Sequence, residues 1–319
     1  MLIFTGMLLV GVVLLYFGAE WLVRGSVGLA RAMGVRPLVI GLTVVAYGTS
    51  APELVVSVVA ATEGKSAIAL GNVIGSNVAN LGLILGLSAL ISPPRVDRQL
   101  VLREIPVLLA SALLLPVLLY DGVISRVDGA GLVIGVAAFT WFTLANAKKL
   151  PAAAPILQEV REEVEAEAAH GKPSTLTLIA GVGLFGLVLG GKLFVDGATG
   201  FARALGMSER LVGLTIVAVG TSLPEMAASV VAALRGHSAL AIGNIVGSNI
   251  FNILLILGGA SVIAPIEGSL SSIAVDTALL LGLTAVAAMM MFGDRRISRL
   301  EGSILMVCYA AFIVIAVAT

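Results

Sequence analysis

The chain has 319 residues, of which 59% are hydrophobic and 12% charged, and its 19 Lys and Arg balance 19 Asp and Glu. A mean hydropathy of +1.09 leaves too little polar surface for a water-soluble domain and marks an integral membrane protein. Zero net charge without a long basic block excludes a nucleic-acid partner; one cysteine, Cys308, excludes a disulfide within the chain, and two distant histidines, His170 and His237, exclude a zinc site of the usual kind.

The first apolar run, residues 1–17, has no basic start and no small-x-small cleavage site, so it reads as a span and not as a leader. In chain order the apolar segments are 2–23, 37–62, 66–91, 101–120, 124–146, 175–200, 209–234, 238–264, 272–292 and 300–318, each about long enough to cross a bilayer. One long connection interrupts them, the Pro-punctuated acidic stretch 148–174. Its acidic tract 159–169 has no calcium-loop spacing and reads as a solvated cytoplasmic helix, a regulatory cation sensor being the alternative. The expected organisation is a first half 1–147, a linker 148–174 and a second half 175–319. Numbering the loops from the N-terminus, the odd ones hold 14 Lys and Arg and the even ones 4. The linker is therefore expected in the cytoplasm and both termini outside. Short loops point to a prokaryotic plasma (inner) membrane.

The halves repeat. GLTVVAYGTSAPE (41–53) returns as GLTIVAVGTSLPE (213–225), and SAIALGNVIGSNVANLGLILG (66–86) as SALAIGNIVGSNIFNILLILG (238–258). Aligned without a gap at an offset of 172, residues 18–93 and 190–265 are identical at 39 of 76 positions. Five spans separate each residue from its copy, so the second copy crosses in the opposite sense. The expected fold is all-α: ten transmembrane helices in two inverted five-helix repeats with broken central helices, the architecture of a secondary transporter. The repeated cores are 37–91 and 209–264.

Glu53 lies near the middle of its span, and Glu225 repeats it. A carboxylate at that depth is costly without a partner, so it is a functional residue by default. Thr43, Ala46, Thr49 or Ser50, Glu53 and Ser57 fall on one helical stripe. Asn72, Ser76 and Asn80 form another, with Asn77 beside them. The second copy repeats both: Thr215, Ala218, Thr221, Ser222, Glu225 and Ser229, then Asn244, Ser248 and Asn252, with Asn249. Pro52 removes a backbone donor and biases Ala51 away from helical angles, which frees carbonyls near Gly48 and Ala46. Carboxylate, hydroxyl, amide and carbonyl oxygens suit calcium, magnesium or sodium, not copper or zinc. Gly71, Gly75, Gly243 and Gly247 are assigned mainly to close helix packing. One divalent cation, or two or three monovalent ones, would neutralise the two glutamates. A loaded site could then pass an apolar barrier that an empty one could not, which would couple two ion flows.

The pattern GTS-x-PE followed by GN-x-x-GSN-x-x-N, present twice, resembles the two alpha-repeats of the cation/calcium exchanger superfamily, in its prokaryotic sodium/calcium exchanger branch. The resemblance covers nearly the whole chain. It implies an antiporter of sodium and calcium working by alternating access, with no cofactor and no obligatory protein partner beyond the lipid bilayer. Glu53 and Glu225 would be the principal calcium carboxylates, shared with sodium. Thr49, Ser50, Thr221 and Ser222 would supply oxygens to sodium, Ala46 and Ala218 backbone carbonyls. Ser76 and Ser248 would complete flanking sodium sites, and Asn80 and Asn252 would line the centre. The first and sixth spans, with glycine-rich 18–28 and 190–200, would slide against the core. Some members carry Asp at one of the two Asn80/Asn252 positions; this chain has Asn at both, hence two carboxylates and not three.

Other readings stay open on the residues alone. Calcium or another divalent ion could exchange against protons or together with potassium, although the proton-coupled branch typically carries a different motif. A cation channel needs a continuous pore, often a ring of subunits. An enzyme would need a nucleophile with a base partner, and no histidine lies in the middle of a span. Glu20 and Lys192 hold equivalent repeat positions with opposite signs, as do Arg24 and Asp196; a structural ion pair, snorkelling or gating would account for them.

Overall fold

The computed structural model describes residues 2–98, 100–147, 172–205, 218–269, 273–293 and 296–318. Linker residues 148–171 and the start of the second repeated core, 209–217, lie outside the described residues.

The helices in chain order are α1 Leu2–Ala32, α2 Pro37–Thr49, α3 Ala51–Thr62, α4 Ser66–Ile91, α5 Leu100–Leu118 and α6 Arg126–Asn146. After the linker come α7 Pro173–Ala204, the short α8 Ala218–Gly220, α9 Leu223–Leu234, α10 Ser238–Ile263, α11 Ala274–Phe292 and α12 Arg299–Ala318. The bounds of α3 and α9, and of α4 and α10, differ by the sequence offset of 172. Equal sequence has produced equal local structure. Helices α6 and α12 both begin at a capping box: Ser125 with Asp128 and Ser298 with Glu301 each exchange side-chain and backbone bonds.

Among the described residues seven helices are long and apolar enough to cross a bilayer, and the bent pair α2–α3 makes an eighth. The expected span 209–234 is represented by α8 and α9, its first half being undescribed, and 300–318 is the 20-residue α12. The chain is thus an all-α membrane protein, with one addition that the sequence did not announce. Val123–Ile124 (β1) pairs antiparallel with Ile266–Glu267 (β2). This clip joins the loops after α5 and α10, and the Glu267 N–H donates to Ser66 Oγ at 3.0 Å.

Helices α1 and α7 run past the expected ends at 23 and 200, because a charged residue such as Arg24 ends an apolar run without ending a helix. α7 also takes in Pro173 and Ser174 from the expected linker. At 31 and 32 residues, each helix is about 46–48 Å long, well over the roughly 30 Å of a bilayer core. The two lie antiparallel, backbone against backbone, along glycines at seven-residue steps: Gly11, Gly18 and Gly25 on α1, Gly183, Gly190 and Gly197 on α7. A Cβ on Gly183 would sit 2.3 Å from Leu22 N, and one on Gly25 2.5 Å from Ala180 N. Only small residues permit this approach.

The centre belongs to α4 and α10. α10 is almost wholly buried. Helix α2, from the first half, packs on α10, from the second: a Cβ on Gly41 would meet Leu240 O at 2.5 Å, and one on Gly243 Leu38 O at 2.7 Å. Gly243 and Gly247 are the packing glycines that were expected. For Gly71 and Gly75 a Cβ meets nothing within 4 Å among the described residues, and the repeat counterpart of the helix that packs on Gly243 falls in 209–217, outside them. The halves interlock, and this crossing brings the two GTS-x-PE motifs together.

Candidate cation site

Each motif is a helix broken at a serine. Ser50 adopts φ −81°, ψ 5°, and α2 and α3 meet there at 45°. Ser222 adopts φ −87°, ψ 8°. Ala51 was expected to leave the helical region; it is the first residue of α3, and the break falls one residue earlier. Pro52 and Pro224 then occupy the first turn of α3 and α9, where a missing N–H costs nothing. Glu53 and Glu225 follow directly, in first turns whose N–H groups favour negative charge.

The serines at the breaks reach across the two halves. Ser50 Oγ donates to Glu225 Oε1 at 3.0 Å, and Ser222 Oγ donates to Glu53 Oε1 at 3.3 Å. Both carboxylates are 1–2% exposed. The second oxygen of each, Oε2, has no hydrogen-bond partner among the described residues. Buried carboxylates are paired, and no Lys, Arg or His bonds either of these among the described residues. The arrangement leaves them for a cation.

The other oxygens follow the same rule. Among the described residues, Ser76, Ser248, Asn80, Asn252 and Thr221 each carry a buried side-chain oxygen without a hydrogen-bond partner. Native structures leave few such atoms, and each calls for an explanation. Four of these five come in pairs related by the repeat. Asn80 and Asn252 sit in single π-helical stretches, Ala79–Ile84 and Asn252–Leu257. Such turns accompany functional sites because they re-aim side chains within a helix. The stretch holding Asn80 packs on α9, and the one holding Asn252 packs on α3.

Thr49 is spoken for, its Oγ1 donating to Asn244 Oδ1 at 3.3 Å. Ala46 keeps its carbonyl in the helix, accepting from Ser50 N–H at 3.1 Å, so one lone pair is left for an ion. The second half differs: Ser222 N–H donates to Val219 O at 3.2 Å, a tighter turn that bypasses Ala218.

Four asparagines extend the set that the sequence put forward. Asn72 Nδ2 donates to Glu53 O at 3.0 Å and Ser57 Oγ at 2.9 Å. Asn244 Nδ2 does the same to Glu225 O at 3.4 Å and Ser229 Oγ at 2.9 Å. Asn77 and Asn249 donate to the carbonyls of Val73 and Ile245, and their Oδ1 atoms are buried without a partner. All four lay on or beside the polar stripes, and their pairing in the repeat was the signal that could have found them.

With two carboxylates and otherwise neutral oxygens, the set is that of a hard cation; no group of three or more His, Cys, Asp or Glu occurs among the described residues.

The family model described as "Sodium/calcium exchanger protein" matches residues 3–145 and 175–318. The chain is 39% identical over 315 residues to the putative antiporter CaxA of Alkalimonas amylolytica, covering 98% of each chain. It is 33% identical to the sodium/calcium exchanger MaX1 of Methanosarcina acetivorans, covering 97% of each. Among solved structures it resembles the sodium-calcium exchanger NCX_Mj soaked with 2.5 mM Na+ and 0.1 mM Ca2+, at TM-score 0.83 and 34% identity, covering 99% of this chain and 98% of that one. A broken-helix motif present twice, meeting around two buried glutamates, and a match along both halves lead to one conclusion: the chain belongs to the sodium/calcium exchanger family.

Proposed function

We propose that this chain is an antiporter that exchanges sodium for calcium across the plasma (inner) membrane by alternating access, and that it is not an enzyme. The observation that carries this reading is the reciprocal pair of buried glutamates, each with one oxygen bonded to the serine of the other half and one oxygen without a partner. A dianionic, dehydrated site cannot stay empty at low cost. One calcium ion or several sodium ions lower that cost, and the loaded site can then be exposed to the other side.

In this reading Glu53 and Glu225 hold calcium and share their outer oxygens with sodium. Thr49, Ser50, Thr221 and Ser222, with the carbonyls of Ala46 and Ala218, serve sodium. Ser76 and Ser248 complete the flanking sites, and Asn80 and Asn252 line the centre. Residues 1–147 and 175–319 form two inverted five-helix repeats with ten spans in all, and 148–174 a cytoplasmic linker, with both termini outside. The antiparallel contact of α1 with α7, helices related by the repeat, supports the inversion. So do the reciprocal bonds at the site. Helices α1 and α7 are the elements that slide.

The test is radioactive calcium uptake into proteoliposomes loaded with sodium and diluted into sodium-free buffer, beside matched vesicles carrying a proton or potassium gradient. Uptake that needs the outward sodium gradient and disappears in Glu53→Gln supports the reading. Uptake driven by protons alone, or unchanged in Glu53→Gln, overturns it.

A further inference from the structure

The ion pair that fastens α1 to the end of α9 has a counterpart in the other half of the chain, with both signs exchanged. Arg235 Nε donates to Glu20 Oε2 at 3.0 Å, and Arg235 Nη2 lies 2.7 Å from Glu20 Oε1. The residues 172 positions away are Lys192, on α7, and Glu63, just after α3. An acid on α1 and a base after α9 correspond to a base on α7 and an acid after α3. A duplication that only drifted would leave like charges together as often as opposite ones. Here each residue changes sign and the pair stays attractive.

Only one of the two pairs is formed. Glu63 Oε2 accepts instead from Lys65 Nζ at 2.7 Å. Lys192 is exposed and has no ion pair among the described residues. The loops that carry Glu63 and Arg235 are otherwise alike: Gly64 and Gly236 follow at φ 70° and 75°. What differs is the packing around them. α1 lies along α9, whereas α7 has no comparable interface with α3. Instead α7 crosses both motif breaks, where a Cβ on Gly48 would meet Leu184 Cδ2 at 2.6 Å and one on Gly220 Val195 Cγ2 at 2.2 Å. A chain whose halves repeat in sequence is held here in one of two related arrangements.

We infer that Glu20–Arg235 and Lys192–Glu63 are the two alternating latches of the transport cycle, one closed in each end state, so that opening the first accompanies closing the second. Both lie away from the cation site and act on the equilibrium between states, not on the ions. A partly exposed pair is well fitted to latching, since it biases a two-state equilibrium and still opens in every cycle. The inference rests on the alternating-access reading above.

Charge exchange tests it, in proteoliposomes and in a Cys308→Ser background whose sodium-driven calcium uptake is measured first. Failure of that background to exchange, when the unmodified chain also fails, removes the functional reading itself and the latches with it. In an active background, Arg235→Glu and Lys192→Glu are each expected to slow exchange roughly tenfold by turning attraction into repulsion. Glu20→Arg/Arg235→Glu and Lys192→Glu/Glu63→Lys are expected to regain most of the rate, as a double-mutant cycle requires of a direct pair. A second measurement is independent of rates. In the double variant Glu63→Cys/Lys192→Cys, a short bifunctional thiol reagent with a cleavable linker should bridge the pair during turnover and stop uptake, and cleaving the linker should restore it. Double variants no faster than the single ones, or a 63–192 pair that never bridges during turnover, would overturn the latches while leaving the exchanger intact.

Discussion

Asn72 binds Glu53 through the glutamate's backbone and not its carboxylate: Asn72 Nδ2 donates to the Glu53 carbonyl at 3.0 Å and to Ser57 Oγ at 2.9 Å. Asn244 treats Glu225 and Ser229 in the same way. The amide bridges one turn of helix directly beyond the break and fixes the direction in which the carboxylate leaves the backbone. Asn244→Ala strips two buried acceptors of their donor, at about 1–3 kcal/mol each. Its melting temperature should fall and calcium uptake should drop by more than tenfold; Asn72→Ala, at the half-buried copy, should be milder. Thermal unfolding and uptake on the same preparations check both.

Glu53→Gln and Glu225→Gln keep the shape of the side chain and remove its charge. Both variants should fold, with retention on a sizing column equal to that of the unmodified chain, and calcium uptake should fall to the level of empty vesicles. A glutamine variant that still exchanges would show that its glutamate holds no transported ion.

The unpartnered oxygens predict a ligand effect on stability. On the proposed reading calcium binds the folded site and not the unfolded chain, so at a hundredfold excess over its dissociation constant it should stabilise by about 2.7 kcal/mol. The melting temperature in detergent should rise with calcium, and with sodium at higher concentration. The rise should vanish in Glu53→Gln.

The seam between α1 and α7 predicts a contrast among glycines. A Cβ on Gly183 would stand 2.3 Å from the backbone nitrogen of Leu22, and backbone cannot rotate away. Gly183→Ala should cost about 1–3 kcal/mol, by analogy with overpacked cores. Gly131→Ala, at an exposed position inside α6 with nothing within 4 Å among the described residues, should be neutral or slightly stabilising in its helix. Equal melting temperatures for the two variants would contradict the close approach.

The sequence carried much of this. The repeat offset fixed which residues are equivalent, and the structure kept it in the bounds of α3 and α9 and of α4 and α10. Glu53 and Glu225 stood out because an acid in an apolar run has few explanations. What could not be read was distance across the chain. Nothing in GTSAPE says that Ser50 will bond the glutamate of the other copy and not its own neighbour, since that depends on how α2 lies against α10. The π-helical stretches at Asn80 and Asn252 were also hidden, because the four-residue stripe fits an α-helix equally well. Nor does the sequence say that Gly243 packs against the backbone of Leu38 and Leu42 in the other half, a contact that depends on the same crossing of α2 and α10.

The sealing of the site has a consequence for which ions it accepts. Glu53, Ser76, Asn80, Glu225, Ser248 and Asn252 are all 0–2% exposed, so an ion that enters must leave its water behind. Dehydration then becomes a filter. Calcium accepts six to eight oxygens in loose geometry and trades water for protein readily, whereas magnesium demands a near-ideal octahedron and gives up its shell reluctantly. A site of buried side-chain oxygens distributed over four helices should therefore favour the larger ion over the smaller one, although both carry the same charge.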